Sequence, residues 1–390
     1  MRMRNGLLVA AAIMAGTWTA AVLSAQAPPG PGQIAIRDGQ RLAGQVFKNV
    51  QVLKDVTVDD FMTLMGLMTA SVGGDCADCH KDAGTNRVDW AFDTPRKITA
   101  RRMSAMVRAI NKDHFAGRQL VSCWSCHKGR SRPILTPTLD QVYGEPTLDP
   151  EDLVYTSAPD LPAPKVIVDR YLQAIGGTQK LAAVTTLTAT GTSIGFRGFG
   201  GGGAVELYAK RPDQRSMIIR YKVAGRDATV RSYDGKVGWI KTPLNVLGEY
   251  QLFWSDLTGA RLDAQLTFPD QIVTALTRLR TLEPAEIDGK DMDVIQGDMA
   301  GTPAMFATLY FDRNTGLLAR TVRYGASPIG RMPTQMNVSD YRDVGGVKLA
   351  HRFEFVWLDG RDSIQLDQIR LGDAIAPSKF GRPTALESQR

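Results

Sequence analysis

The sequence predicts a multidomain fold class, in which a small, mainly α-helical domain precedes a mainly antiparallel β domain with a leading helix. Three observations predict it. The 390 residues suffice for two domains or three small ones. Apolar residues follow a helical repeat before residue 133 and alternate, between hairpin turns, after residue 187. A proline-rich stretch separates the two patterns. With 43% hydrophobic and 22% charged residues, the composition argues against wholesale disorder and against a polytopic membrane protein.

The N-terminus has the organisation of a secretory signal. Arg2 and Arg4 precede an apolar run over 6–23, and small residues follow at 24–27. We therefore predict a signal peptide over 1–27, with cleavage near Ala25. The predicted location is periplasmic or otherwise extracytoplasmic, peripheral to the inner membrane. An uncleaved anchor is the alternative, although a run of about 17 residues is at the short end for spanning a bilayer.

The rare residues of this chain are concentrated in two pentapeptides. The chain has four cysteines and four histidines, and six of these eight residues fall in the two segments. Each segment reads C-x-x-C-H, with Cys76, Cys79 and His80 in the first and Cys123, Cys126 and His127 in the second. This spacing is the signature of covalent c-type haem attachment, because two thiols bond the vinyl groups of one porphyrin and the next histidine binds its iron. The sequence therefore predicts two covalently attached haem c groups.

Other cysteine chemistries explain the pattern less well. A structural zinc site usually has 15–20 residues between its cysteine pairs, whereas 43 residues separate Cys79 from Cys123. Two disulfides or a thioredoxin-like dithiol would not require a histidine directly after both second cysteines. We therefore favour haem over zinc and over disulfides.

Methionines on two predicted helices are candidates for the sixth ligand of each iron. The first helix, over 58–68, has acidic residues at its start and ends before Gly73-Gly74, and its Met65 is best placed for the first haem. The second starts with Thr94 as N-cap and Pro95 and runs to about 111. It carries Met103 and Met106, and their distance in sequence from Cys123 does not decide which of them is the ligand. A methionine stripe is more often ordinary core than a ligand set, and His114 is a rival ligand.

Residues 44–133 resemble one half of the photosynthetic reaction centre cytochrome c subunit. The similarity lies in FKNVQVL at 47–53, DFMTLM at 60–65, PRK at 95–97, ARRM at 100–103 and VSCWSCHKG at 121–129. In that family, the helix before each C-x-x-C-H motif donates a methionine. The resemblance thus implies Met65 as the sixth ligand of the first haem and Met103 as that of the second.

The chain also departs from that family. The familiar tetrahaem subunit has two haem pairs and a lipid-bearing N-terminal cysteine, whereas this chain has one pair and no such cysteine. His114 is similar to a histidine that reaches a haem of the other pair in the family. Here it has no second pair to serve, so it is either vestigial or active in a homodimer.

Positive charge is concentrated around the two pentapeptides. Residues 81–132 contain twelve Lys and Arg residues against four Asp, a local excess of eight positive charges. Such a patch can bind nucleic acid, but predicted export argues against that partner. The patch would balance four haem propionates and steer acidic partners, and a solvated face is the plain alternative.

The remainder of the chain predicts a linker and a β domain. We expect the dihaem domain at 28–133, a linker with many prolines at 134–163, the β domain at 164–380 and a disordered tail at 381–390. The β domain begins with a helix over 165–175. Alternating runs then include 204–208 and 216–221, and a short helix over 270–279 interrupts the sheet. Hairpin turns are predicted at Asp234-Gly235, Thr315-Gly316 and Gly345-Gly346.

The pattern of this domain weakly resembles the curved half-barrel of periplasmic lipoprotein carriers, whose cavity binds acyl chains. The glycine cluster at 198–203 lacks the Lys-Ser or Lys-Thr ending of a phosphate loop, so we interpret it as a hairpin loop.

Together, the motifs and the resemblance predict an exported dihaem c-type cytochrome. It would carry single electrons between a periplasmic donor and a membrane redox complex, such as a photosynthetic reaction centre, and it would not be an enzyme. Two other classes stay open. One is a haem peroxidase-type enzyme with an open axial site. The other is a β-domain protein that binds a lipid or protein ligand and uses its haems as a sensor.

Overall fold

The computed structural model describes residues 41–383, except 86, 134, 138, 145–156, 158–159, 196–201, 223–226, 244–246, 303–304 and 359. The predicted signal peptide, much of the predicted linker, most of the glycine cluster and residues 384–390 lie outside the described residues. Among the described residues, no helix is long and apolar enough to cross a membrane.

Helices dominate the first part of the described chain, and two more lie between strands of the second part. The described helices are α1 (Ala43–Val46), α2 (Val58–Val72), α3 (Cys76–Cys79), α4 (Pro95–His114), α5 (Cys123–His127), α6 (Leu139–Tyr143), α7 (Pro164–Ala174), α8 (Thr178–Ala183), α9 (Trp254–Leu266) and α10 (Ile272–Ala275). Short 3-10 helices lie at Pro269–Gln271 and Pro377–Lys379.

The second part forms one open antiparallel sheet. Its described strands are β1 (Thr186–Ser193), β2 (Gly203–Lys210), β3 (Gln214–Tyr221), β4 (Thr229–Tyr233), β5 (Gly238–Lys241), β6 (Glu249–Leu252), β7 (Leu276–Ile287), β8 (Lys290–Met299), β9 (Phe306–Asp312), β10 (Leu318–Ser327), β11 (Gly330–Val344), β12 (Val347–Trp357) and β13 (Gly360–Leu371). Their order is β6-β5-β4-β3-β2-β1-β13-β12-β11-β10-β9-β8-β7. The predicted arrangement of helices first and an antiparallel sheet second is confirmed.

The two long helices before residue 133 have the ends that their sequences indicate. The Thr57 side chain caps α2 by accepting a hydrogen bond from the Asp60 amide, and Gly73 ends the helix in the left-handed conformation at φ 65°. Thr94 caps α4 in the same way, and Pro95 occupies its first position. Both helices extend three or four residues beyond their predicted ends at 68 and 111.

The largest hydrophobic core lies between α7 and the sheet. Ile167 and Tyr171 of α7 are buried there, and the Tyr171 ring lies 5.3 Å from that of Phe311 on β9. The chain leaves α7 through Gly176 at φ 123°, where an added Cβ would lie 2.7 Å from the Gly346 carbonyl oxygen. Only glycine fits this close approach, so the α7 end and the β11–β12 hairpin hold each other in place.

The predicted hairpins are confirmed, and one predicted helix needs correction. Asp234-Gly235, Thr315-Gly316 and Gly345-Gly346 join β4 to β5, β9 to β10 and β11 to β12. The helix expected over 270–279 ends at Ala275. Leu276 instead pairs with Met299 and begins β7, because the ladder with β8 satisfies its backbone and buries its side chain.

Helix α9 was missed because its buried face mixes polar and small residues with a few apolar ones. Ser255, Thr258 and Gly259 are among its buried residues, so the sequence shows no 3.6-residue apolar repeat. A Cβ at Gly259 would lie 2.3 Å from the guanidinium carbon of Arg323. The helix therefore packs closely against a charged strand side chain, which a propensity pattern does not reveal.

The helical region is packed against the sheet. Leu64 and Leu67 of α2 share a buried cluster with Ile329 and Met332 of the β10–β11 hairpin. At the other side of α2, the Asp59 carboxylate accepts a 2.7 Å hydrogen bond from the Phe253 amide at the start of α9. These contacts place one wall of the sheet opposite the two pentapeptides.

Candidate haem-binding site

Both pentapeptides open into one cavity between the helical region and the sheet. Its volume is about 1450 Å³, which exceeds the roughly 300–1,000 Å³ of a typical small-molecule pocket. The sequence-predicted residues that line it are Cys76, Cys79, His80, Cys123, Cys126, His127, Met65 and Met103. The structure thus brings together side chains from four separate helices, α2 to α5.

The rival axial ligands are placed differently from one another. Met106 lines the same cavity as Met103, although 43% of its surface is exposed, whereas Met103 is only partly exposed. His114, at the end of α4, is exposed and is not among the residues that line the cavity. The placement therefore favours methionine over His114 next to the second pentapeptide.

The first pentapeptide forms the short helix α3. The Asp75 carboxylate caps it by accepting hydrogen bonds from the Ala77 and Asp78 amides. Helix α4 holds the other end, because the Thr94 hydroxyl donates a 2.7 Å hydrogen bond to the Cys79 carbonyl. An ion pair between Arg96 and Asp78 adds a second link.

His80 carries a buried nitrogen without a hydrogen-bond partner. Its Nδ1 is buried and unpaired among the described residues, and its ring lies 5.1 Å from that of Trp90. Burial, followed by the positive charge of Lys97, lowers the pKa of His80. This shift favours the neutral ring, which is the form that binds a metal.

The second pentapeptide forms α5. The Ser122 hydroxyl caps it by accepting from the Ser125 amide, and Nδ1 of His127 lies 2.9 Å from the Arg130 carbonyl oxygen. Because a carbonyl only accepts, Nδ1 is the protonated nitrogen and Nε2 keeps its lone pair. Axial histidines are commonly oriented by such a bond to a carbonyl.

The two units pack reciprocally, since α2 contacts α5 and α4 contacts α3. The closest approach is at Gly73, where a Cβ would lie 2.2 Å from the Gly129 carbonyl oxygen. The Gly129 amide also donates a 2.9 Å hydrogen bond to the Ser71 carbonyl. Each long helix is thus fixed against the pentapeptide of the other unit.

The cysteines have the properties of attachment sites. All four are among the described residues, and none is in a disulfide. Burial raises the pKa of the Cys79 and Cys123 thiols, whereas reactive dithiols have lowered values. In the described part of the chain, no three Cys, His, Asp or Glu side chains come together as a metal site, so the cysteine pairs do not meet around one zinc ion.

These observations fit covalent haem. Four thiols outside disulfides, one buried unpaired histidine nitrogen and one histidine oriented through Nδ1 all border a cavity larger than one ordinary ligand requires. The methionine thioethers in its lining supply further iron ligands of the kind that cytochromes c use.

Two cations of the predicted basic patch form structural contacts inside the site. Lys97 and Arg101 of α4 line the cavity. The Lys97 ammonium donates to the Trp90 carbonyl at 2.8 Å, and Arg101 lies 2.7 Å from the Asp93 carboxylate. These two cations are structural links, which their position in a charge-rich stretch did not reveal.

Sequence reasoning missed the wall that the sheet contributes. It is lined by Met217, Ile219 and Tyr221 of β3, Thr229 and Arg231 of β4, Ile240 of β5, Tyr250 of β6, Met332 of β11, and Phe355 and Trp357 of β12. The sequence shows the alternation along each strand, but it does not show that this face of the sheet meets the pentapeptides. No local signal identifies it, because the pentapeptides and this wall are at least 90 residues apart in the chain.

Comparison with known proteins identifies the relatives of the helical region. A family model described as the photosynthetic reaction centre cytochrome C subunit matches residues 6–142. The resemblance predicted from the sequence is confirmed. The subunit of Thermochromatium tepidum is 38% identical over 96 residues, which are 23% of this chain and 22% of that protein. The subunit of Roseobacter denitrificans is 34% identical over 102 residues, 24% of this chain and 27% of that protein. The chain thus spans about a quarter of the length of these relatives.

Two solved structures are similar to a part of this chain. An outer membrane lipoprotein-sorting protein domain from Vibrio parahaemolyticus has a TM-score of 0.36 and 11% identity, and the match covers 55% of this chain and 97% of that one. A LolA superfamily protein from Nitrosomonas europaea has a TM-score of 0.37 and 11% identity, with 56% and 97% covered.

Proposed function

We propose that this protein is an exported dihaem c-type cytochrome that carries single electrons and is not an enzyme. One observation carries the proposal. Both C-x-x-C-H motifs and the candidate methionines line one cavity, although they come from four different helices. Reactions with small molecules need an open iron site, and methionines opposite both histidines would close it.

We infer a ligand set in which each unit holds one haem. Cys76 and Cys79 attach the first and Cys123 and Cys126 the second, as the motif spacing implies. His80 and Met65 would bind one iron, and His127 and Met103 the other. Iron held in this way supplies one-electron chemistry by alternating between the ferric and ferrous states. The methionine ligands favour the ferrous state and raise the potential.

The proposed partners are a periplasmic donor and a membrane redox complex. Support comes from the relatives, whose names place them with photosynthetic reaction centres, and we infer an acceptor of that class. Basic residues around the second pentapeptide are exposed, among them Arg102, Lys112, Arg118, Lys128, Arg130 and Arg132. Such a surface attracts acidic partners and repels other cations. A signal peptide at 1–27 would place the chain in the periplasm.

We further infer that the sheet curves as a half-barrel and that the β domain, over 164–380, encloses the haems of the domain at 28–133. Helix α9 contacts both β3 and β10, which are six places apart in the sheet. At about 4.8 Å per strand they would lie roughly 29 Å apart if the sheet were flat. A helix lying across a flat sheet from β3 to β10 would also contact the strands between them, whereas the strands that α9 chiefly contacts are β3, β4 and β10. This pattern supports a sheet that bends around the helix.

A pyridine haemochrome assay on the full chain, exported by a cytochrome-maturing host, tests the proposal. We expect two haems per chain, and one in each of the double variants C76A/C79A and C123A/C126A. The matched control A77S changes an exposed position inside the first motif and should keep two. A colourless wild-type protein, or one with zinc at its cysteines, contradicts the proposal.

A further inference from the structure

The sheet wall places one cation in the apolar part of the cavity. Arg231 of β4 lines the cavity, and it pairs in register with Met217 on β3 and with Ile240 on β5. Both neighbours also line the cavity. Since cross-strand neighbours are the side chains a strand residue meets first, Arg231 finds no anion beside it on the sheet.

Arg231 is also short of hydrogen bonds. Its Nε is buried and has no partner, and among the described residues no carboxylate forms an ion pair with it. Two further arginines, Arg215 and Arg323, are within electrostatic reach of Arg231. Burial lowers the pKa of both; Asp263 opposes that effect, and the charge of Arg231 adds to it. The Asp263 carboxylate lies 4.0 Å from the Arg323 guanidinium, so this anion already serves the other two arginines.

The neighbouring polar groups of the wall are hydroxyls. Tyr221 and Thr229 lie 2.7 Å apart through their oxygens, and Thr229 and Thr242 lie 2.8 Å apart. All three line the cavity, and Thr229 is two residues from Arg231 on the same face of β4. Asp362 also lines the cavity, but its carboxylate accepts from the Ser193 hydroxyl at 2.8 Å and the Gly195 amide at 2.9 Å. This cavity-lining carboxylate is therefore already engaged.

Arg231 is partly buried, and its unpaired Nε leaves a hydrogen-bond donor unsatisfied. The planar donors of a guanidinium match a carboxylate. We propose that Arg231 binds a propionate carboxylate of a haem held in this cavity. This inference rests on the proposed function, and it gives the β domain a direct part in the haem site.

In this arrangement the charge of Arg231 affects the reduction potential of the haem iron. An ionised propionate stabilises ferric iron, and the guanidinium offsets that negative charge. Removing the guanidinium should lower the potential of one haem and leave the other nearly unchanged. We expect roughly a tenfold change in its ferrous-to-ferric ratio at fixed potential, which is about 59 mV for one electron.

The test is a spectroelectrochemical titration of the exported holoprotein and its Arg231→Met variant, with haems counted in the same samples. Methionine suits a position between Met217 and Ile240, so the variant should fold. Arg331→Met is the matched control. Arg331 is also a strand arginine with a buried, unpaired nitrogen, but it does not line the cavity. It should leave both potentials unchanged, and Arg231→Lys should restore most of the lost potential.

The outcomes separate this inference from the proposed function. Two haems with unchanged potentials in Arg231→Met overturn the inference alone, as does an equal shift in Arg331→Met. A wild-type chain without haem overturns the proposed function and this inference with it. If Arg231→Met is not recovered with two haems, Arg231→Lys and Arg231→Gln decide: a higher potential with lysine supports the inference, and equal potentials overturn it.

Discussion

The two attachment units have the same order of elements and different surroundings. In each, a capped long helix and a turn lead to a short C-x-x-C-H helix. Helix α2 contains no Lys or Arg and lies between the sheet and α5, whereas α4 contains six basic residues and exposes one face to solvent. The same order of elements therefore stands in two different electrostatic environments.

The histidines show the same difference. His80 is half-buried, and its Nδ1 has no partner, whereas Nδ1 of His127 is oriented by the Arg130 carbonyl. A hydrogen bond at Nδ1 makes the other nitrogen a stronger donor to iron. The two irons of the proposed cytochrome should therefore have separate potentials.

The largest expected effect comes from removing a proposed methionine ligand. Met65→Ala and Met103→Ala should each convert one of the two ferric haems completely from low to high spin, since a sixth ligand is lost. Absorption and electron paramagnetic resonance spectra measure this. Met106→Ala is the control within the same helix and should leave both haems low-spin.

The same variants also decide between the remaining functional classes. If Met106→Ala changes the spectrum and Met103→Ala does not, the second ligand has been assigned to the wrong methionine. A wild-type protein that already has one high-spin haem would favour the peroxidase-type alternative.

The contact between the units predicts the next largest effect. Gly73→Ala should lower the free energy of unfolding by about 2–4 kcal/mol, because a left-handed alanine is strained and its Cβ would overlap the Gly129 carbonyl. Gly84→Ala has a similar positive φ and nothing within 4 Å of the added Cβ. It should lose only about 1–2 kcal/mol in the same urea titration. Equal losses would show that the Gly129 contact does not constrain the turn.

The interface between α2 and the sheet predicts a pH dependence. Burial, followed by the charge of Asp256, raises the pKa of Asp59 to about 6, and burial also raises the pKa of Asp60. The stabilising protonated state is therefore complete below about pH 4 and is lost as the pH rises through about 6. Asp59→Asn keeps an oxygen for the Phe253 amide and removes this loss.

Melting temperatures measured between pH 4 and pH 7 test that dependence. The stability of Asp59→Asn relative to wild type should increase with pH, by roughly 2–3 kcal/mol at pH 7. Asp55→Asn is the control of opposite sign, because a hydrogen bond from Arg108 lowers the pKa of Asp55, and that variant should be less stable than wild type at pH 7. A difference for Asp59→Asn that does not vary with pH would refute the assignment.

The smallest effects concern the ion pairs around α4. Arg96→Gln breaks an exposed pair with Asp78 and should cost less than about 1 kcal/mol, with less effect still in high salt. Arg101→Gln should cost more, since the Arg101 side chain is only 12% exposed and also donates to the Asn49 carbonyl. Chemical denaturation at two salt concentrations compares them, and the reverse order would show that burial does not set their contribution.

Elements whose cause is local could be predicted from the sequence. The caps at Thr57 and Thr94, the break at Gly73 and the hairpin turns act over a few residues. The C-x-x-C-H motif is equally local, because both thiols and the histidine must reach one porphyrin. These features identified the helical region and the resemblance to its relatives without any structure.

Elements whose cause lies far along the chain could not be predicted. The buried face of helix α9 includes small and polar residues, and Gly259 packs closely on Arg323. Residues 276–279 form part of a strand because β8 lies beside them. Above all, the wall that carries Arg231 faces the pentapeptides only after the sheet has formed and α2 has docked on it. Side chains at least 90 residues apart become neighbours through that packing, and no spacing in the sequence encodes such a contact.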